Sequence, residues 1–80
     1  MPRFYIHFQN SEIIAKDDQG QDLPSLEEAK ETAMASAREI LADNIKYNAA
    51  NPLRGVMIAN ESGETVMTIP AKDVLPDPLK

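Results

Sequence analysis

The sequence predicts a small α+β domain of ββαββ order, in which one amphipathic helix packs on one face of a four-stranded antiparallel sheet. Three observations predict this fold. The segment Arg3–Gln9 alternates in polarity, one long stretch after Leu26 has the helical period, and two more alternating segments follow Asn51. We expect all 80 residues to form a single domain. Its ends, residues 1–2 and 76–80, are predicted to be loosely ordered.

The first predicted strand is Arg3–Gln9. Its apolar side, expected to face the helix, consists of Phe4, Ile6 and Phe8. Tyr5 and His7 alternate with these residues and are expected to face away. Because three of the four aromatic residues lie in this segment, we predict that the strand is central in the sheet. A short second strand is predicted over residues 13–15, at an edge.

A polar loop and then the helix are predicted next. Residues 17–22 are polar, with Gly20 available for a positive φ. Ser25 and Glu28 match the capping box S-x-x-E, which places the start of a helix predicted over residues 26–47. The predicted buried stripe contains alanines every four residues, at positions 29, 33 and 37. Such small side chains allow the helix backbone to approach the sheet closely.

The pattern of residues in the second half of the chain predicts a β-hairpin. Strands are expected over residues 54–60 and 64–69, joined by a loop in which Gly63 takes a left-handed conformation. Pro70 is predicted to end the last strand, because proline lacks the amide that a strand donates. One short helical turn is expected over residues 73–75.

Composition narrows the classes of function. The formal charge is −5 and the eight basic residues are scattered, so we expect no nucleic-acid partner. Cysteine is absent, which excludes disulfides and thiolate metal sites. No apolar run approaches the roughly 18 residues of a membrane span, and the start of the chain lacks a signal core. We therefore expect a soluble, cytoplasmic protein without a membrane partner.

The candidate catalytic groups are few. His7 is the only histidine, and Tyr5 is its nearest neighbour on the same side of the strand, which makes at most a small site. A structural role for His7 is the favoured interpretation. The acidic loop does not fit a calcium-binding EF-hand, because alignment on Gly20 places Ala15 and Leu26 at ligand positions. We predict no metal and no cofactor.

A single helix can cover only one face of a sheet, so the other face is expected to be open. Its predicted members are Tyr5, His7, Met57 and Val66. Two interpretations of this surface are of equal weight. It is either an ordinary solvated face or a contact surface for a second copy or another protein.

The order of these motifs resembles a family of short, uncharacterised bacterial proteins. The motifs concerned are M-P-R-F-Y-I-H-F at the start, Asp18 with Gly20, L-P-S-L over 23–26, A-R-E-I-L over 37–41, and N-E-S-G over 60–63. The chain departs from the family pattern at Asn10-Ser11, usually Asp-Gly, and at Ala71, usually a large apolar residue. The resemblance implies a shared domain and no particular activity.

Two functions of different class are therefore carried forward. The first is a non-enzymatic protein-interaction or regulatory module, with a homodimer formed through the open sheet face or an edge strand as one form of it. The second is a small ligand-binding protein or enzyme centred on Tyr5 and His7, which requires a concave pocket at that pair.

Overall fold

The computed structural model describes residues 2–75. Its elements in chain order are β1 (Arg3–Gln9), β2 (Ile14–Ala15), β3 (Gln21–Asp22), α1 (Leu26–Lys46), β4 (Gly55–Ala59), β5 (Thr65–Pro70) and α2 (Ala71–Val74). The predicted α+β class is confirmed, with one main helix packed against an antiparallel sheet. The sheet has five strands where four were predicted. The predicted loose ends at residues 1 and 76–80 lie outside the described residues, whereas the Pro2 carbonyl accepts a hydrogen bond from the Leu23 amide at 3.0 Å.

The strand order is β2-β1-β4-β5, with β3 also paired to β1, so that β1 is central as predicted. All pairings are antiparallel. Both short strands lie on the same side of β1: β2 pairs with its C-terminal end, and β3 pairs with its N-terminal end. β5 pairs with β4 and forms the opposite edge of the sheet.

The additional strand, β3, lies within the segment predicted to be a loop. Gln21 pairs with Phe4 and Asp22 pairs with Arg3, while both side chains of β3 are exposed. Because neither side chain enters the core, the segment shows no alternation of polarity, and only the backbone pairing defines the strand. The prediction of an unpaired loop over residues 17–22 was therefore wrong at its last two residues.

The helix α1 begins where the capping motif predicts. The Ser25 hydroxyl accepts a hydrogen bond from the Glu28 amide at 3.2 Å, and the acidic residues Glu27 and Glu28 lie in the first turn, where the helix dipole favours them. The reciprocal bond, from the Ser25 amide to the Glu28 carboxylate, does not form among the described residues. Tyr47, predicted as the last helical residue, is the C-cap, and its amide donates to the Asp43 carbonyl at 2.9 Å.

The core lies between α1 and one face of the sheet. Three alanines of α1 are fully buried, at positions 29, 33 and 37, which matches the predicted stripe of small side chains. Opposite them lie Phe4 and Ile6 of β1 and the fully buried Val56 and Ile58 of β4. Burial of one such aliphatic side chain contributes about 1.5–3 kcal/mol. The sheet thus supplies most of the large side chains of the core, and the small side chains of α1 allow its backbone to lie close to the sheet.

The second hairpin follows the prediction with small shifts in its bounds. Gly63 has φ +86°, the left-handed conformation expected for it. The short helical turn is α2, which starts at Ala71 rather than at Asp73 and buries Val74. Neither helix of the described part of the chain has the length and apolar character needed to cross a membrane.

Candidate functional site

The predicted interaction residues lie on the sheet face opposite α1, which we call the outer face and define by Tyr5, His7, Met57 and Val66. His7 is paired directly with Met57 across β1 and β4. Val66 lies at an irregularity in the pairing of β4 with β5, where the register shifts near Ala59. Tyr5 is paired with the same Ala59. The structure therefore brings all four predicted residues onto adjacent strands.

The outer face is only partly open to solvent. Tyr5, His7 and Met57 are half-buried, and Val66 is 40% exposed. Ala59, which is paired with Tyr5, is only 4% exposed although it does not belong to the core cluster beneath α1. A surface with half-buried aromatic and apolar side chains and no helix above it can accept further packing.

A loop formed by residues 16–20 contacts this face along β1. The Asp17 amide donates a hydrogen bond to Nδ1 of His7 at 2.9 Å. An imidazole nitrogen that accepts a hydrogen bond carries no proton, so Nδ1 of His7 is the acceptor nitrogen in this arrangement. His7 therefore has a structural role: it fixes the loop to the strand.

The Asp17 carboxylate organises the same loop. Its Oδ1 accepts hydrogen bonds from the amides of Gln19 and Gly20, both at 3.0 Å, and its Oδ2 accepts from the Ile6 amide at 3.3 Å. Burial by itself would raise the pKa of this carboxyl group. The hydrogen bonds from these three amides together outweigh burial, so the pKa of Asp17 lies below its ordinary value of 3.8.

Gly20 allows the loop to lie against the strand. Its φ is +74°, and a Cβ atom at this position would lie 2.9 Å from both Arg3 Cγ and Tyr5 Cε2, and 3.0 Å from the Phe4 carbonyl oxygen. Only glycine fits such a contact without a shift of its neighbours. Beyond it, Arg3 Nε forms an ion pair with Asp22 at 3.2 Å, and the Arg3 side chain also donates to the Gln19 carbonyl.

The geometry offers little for catalysis at Tyr5 and His7. The Nδ1 lone pair of His7 is already used by the Asp17 amide, and no hydrogen bond joins the two side chains within residues 2–75. A general base needs a free acceptor within reach of a substrate proton. Over the described ranges, no three His, Asp or Glu residues are grouped as metal ligands would be.

A small cleft lies elsewhere, between the end of β1 and the C-terminal half of α1. It has a volume of about 200 Å³ and an apolar lining that includes Phe8, Ile40 and Leu53. Two asparagines on its rim serve the fold: Asn44 Oδ1 accepts from the Leu53 amide at 2.8 Å, and Asn10 Oδ1 accepts from neighbouring loop amides. The cleft is smaller than the roughly 300–1,000 Å³ of typical ligand pockets.

Sequence reasoning missed Asp17 as the organiser of the loop. The available signal was an aspartate three residues before a glycine, since aspartate side chains commonly accept amides two and three residues later in turns. The contact with His7 could not be predicted, because it depends on the way the loop folds back onto β1.

The comparisons with known proteins identify one family. No curated protein and no solved structure matches the chain significantly. A family model described as a domain of unknown function (DUF6894) matches residues 3–72, which is most of the chain. The resemblance to an uncharacterised family seen in the sequence motifs is thus confirmed, and the chain belongs to the DUF6894 family.

Proposed function

We propose that this protein is a non-enzymatic interaction module that binds a protein partner, a second copy or another chain, through its outer face. The observation that supports the proposal best is that α1 packs only on the opposite side of the sheet. On the outer face Val66 is 40% exposed, and the other three members are half-buried. Mixed apolar and aromatic surfaces of this kind favour protein contacts. The net charge of −5 disfavours nucleic-acid backbones.

The alternative, a ligand-binding protein or enzyme centred on Tyr5 and His7, has less support. Nδ1 of His7 already accepts a hydrogen bond from the Asp17 amide, and the cleft of about 200 Å³ lies at Phe8 and Ile40 rather than at this pair. An NMR titration of His7 in the presence of candidate ligands would revive the alternative if a ligand changed the ring resonances in a saturable way.

Site-specific photocrosslinking in cells that naturally express the chain tests the proposal. A photoreactive phenylalanine analogue is placed at Val66 on the outer face or, as a matched control, at Ala35, which is exposed on α1. We expect protein adducts from position 66 and none from position 35. The adduct mass distinguishes a second copy from another protein, and the absence of any adduct at position 66 would contradict the proposal.

A further inference from the structure

An open cleft lies at the end of the sheet where the loop before β4 meets the junction of β5 and α2. We call it the Arg54 cleft and define it by Leu53, Arg54, Pro70 and Lys72, which are among the residues that line it. Its volume is about 450 Å³, which is within the roughly 300–1,000 Å³ of typical ligand pockets. The lining includes no residue of the outer face, so the cleft is a separate surface.

The two charged residues that line the Arg54 cleft, Arg54 and Lys72, are both basic. In three other clefts of the described residues, basic side chains lie beside acidic ones. These mixed sets are Lys30 and Arg38 with Glu27 and Glu31, Lys16 with Asp17, and Lys30 with Asp73. Because the chain carries a net charge of −5, the Arg54 cleft is a local reversal of sign, and a positively charged cleft attracts anions.

The charges of Arg54 and Lys72 are not neutralised within residues 2–75. The ion pair that forms there joins Arg3 to Asp22 and involves neither of them. Both residues are exposed. A guanidinium group and an ammonium group carry hydrogen-bond donors and no acceptor. Their donors are therefore available to an anion that enters the cleft.

Backbone hydrogen bonds fix the position from which the Arg54 side chain extends. The Arg54 amide donates to the Gln9 carbonyl at 2.7 Å, and the Arg54 carbonyl accepts from the Ala71 amide at 2.9 Å. The second bond places Arg54 beside the residue that precedes Lys72, so the two basic side chains extend from neighbouring backbone segments. Because the Ala71 amide is already used, the site depends on these side chains and not on the first turn of α2.

Most of the remaining lining of the cleft is apolar. Leu53 is 7% exposed, and Pro52 and Pro70 have no backbone amide to donate. The Ser11 hydroxyl already donates to Asn51 Oδ1 at 2.8 Å. An arginine guanidinium binds the paired oxygens of a phosphate or carboxylate group, and a lysine ammonium adds a point charge. The lining therefore fits an anionic group that is attached to an apolar one.

We propose that the Arg54 cleft binds a small molecule that carries a phosphate or carboxylate group on an apolar body. Arg54 and Lys72 contact the anionic group, and Leu53 with the two prolines contacts the apolar part. This second site goes beyond the proposed function and is independent of it, because the Arg54 cleft and the outer face share no residue.

Titration of the full chain with phenyl phosphate, followed by amide NMR at constant ionic strength, tests this site. We expect saturable shifts of the Leu53, Arg54, Ala71 and Lys72 amide resonances. Inorganic phosphate should bind about tenfold more weakly, because it has no apolar part to bury. Benzoate, titrated in the same way, shows whether a carboxylate group replaces the phosphate group.

Two variants that remove a charge identify the groups that bind. Arg54→Gln and Lys72→Gln should each raise the dissociation constant of phenyl phosphate by about tenfold, because each removes a charged donor. Arg54→Lys should have a smaller effect, since it keeps the charge but loses the planar guanidinium. The matched control is Lys30→Gln, which removes an exposed lysine from clefts that also contain acidic residues. It should leave the affinity unchanged.

Circular dichroism checks that each variant is folded. Shifts that saturate with neither phenyl phosphate nor benzoate, or that are the same in the Arg54→Gln and Lys30→Gln chains, would overturn the site. Equal affinities for phenyl phosphate and inorganic phosphate would overturn the apolar part of the ligand. Saturable binding of one of the two aromatic probes alone would support the site and identify its anionic group. Photocrosslinking at position 66 decides the proposed function separately in every case.

Discussion

The two edges of the sheet differ in how their backbone groups are satisfied. Beside β1, the edge consists of two strands of two residues each with a loop between them, and we call this the Asp17 edge (residues 14–22). Between these strands the Ile6 amide has no strand partner, and the Asp17 carboxylate accepts its hydrogen bond instead. The opposite edge, β5, is a single strand of six residues with one register irregularity at Val66. The Asp17 edge is thus occupied by a loop and by side-chain acceptors, whereas β5 is interrupted only by its register irregularity and by Pro70.

The outer face also differs between its two sides, because a loop packs against it along β1 and nothing in the described residues packs on Val66 of β5 to the same extent. Along β1 its aromatic side chains are held by the loop through His7 and Gly20. Along β5 the side chain of Val66 remains 40% exposed. The half of the outer face along β1 is therefore held by the loop, whereas the half along β5 remains accessible. The following substitutions test whether the two halves are independent.

The largest effect is expected at the centre of the sheet, which supports both edges. Ile58 is fully buried on β4, so Ile58→Ala should lower the free energy of unfolding by about 4 kcal/mol through lost burial and a residual cavity. Urea denaturation measures the change. The control is Val66→Ala, for which we expect less than about 1 kcal/mol because the side chain is partly exposed. Equal losses would show that the core is not centred on β4.

The second effect concerns the Asp17 edge alone. Gly20→Ala combines an unfavourable positive φ with contacts near 2.9 Å to Arg3 and Tyr5, and should destabilise by about 2–3 kcal/mol. Gly63→Ala is the matched control: its φ is similarly positive, but a Cβ there meets no atom within 4 Å, so only about 1 kcal/mol should be lost. Thermal unfolding measures the loss of stability in each variant. Equal losses would mean that the loop does not pack closely against β1 at Gly20.

The third effect is smaller and depends on pH. Asp17→Asn should lower the free energy of unfolding by about 1 kcal/mol at neutral pH, since the neutral amide is a weaker acceptor for the loop amides. The pKa of Asp17 is lower in the folded state than its ordinary value of 3.8. Its contribution is therefore present above pH 3.8 and is lost as the pH falls through the folded-state pKa.

Urea titrations of the wild-type chain and Asp17→Asn, at neutral pH and at pH values below 3.8, measure this dependence. The two stabilities should converge in acid. Asp18→Asn serves as the control, because Asp18 is exposed and makes none of the loop bonds of Asp17. A difference that persists undiminished in acid would contradict the role given to the carboxylate.

The sequence predicted those parts of the fold that depend on local patterns. Alternation in Arg3–Gln9, the alanine spacing of α1 and the Ser25 cap all follow from side chains close together in the chain. β3 and the contact between Asp17 and His7 depend instead on pairing between distant backbone groups, with exposed side chains that carry no periodic signal. For the same reason the outer face was predictable as a set of residues, whereas the difference between the two edges was not.

Amide hydrogen exchange, followed by NMR at low and high protein concentration, tests the difference between the edges most directly. The Ile6 amide, bound by Asp17, should be protected equally at both concentrations. The Thr68 amide, which faces away from β4, should exchange rapidly at both concentrations. An Ile6 amide as unprotected as the Thr68 amide would contradict the account.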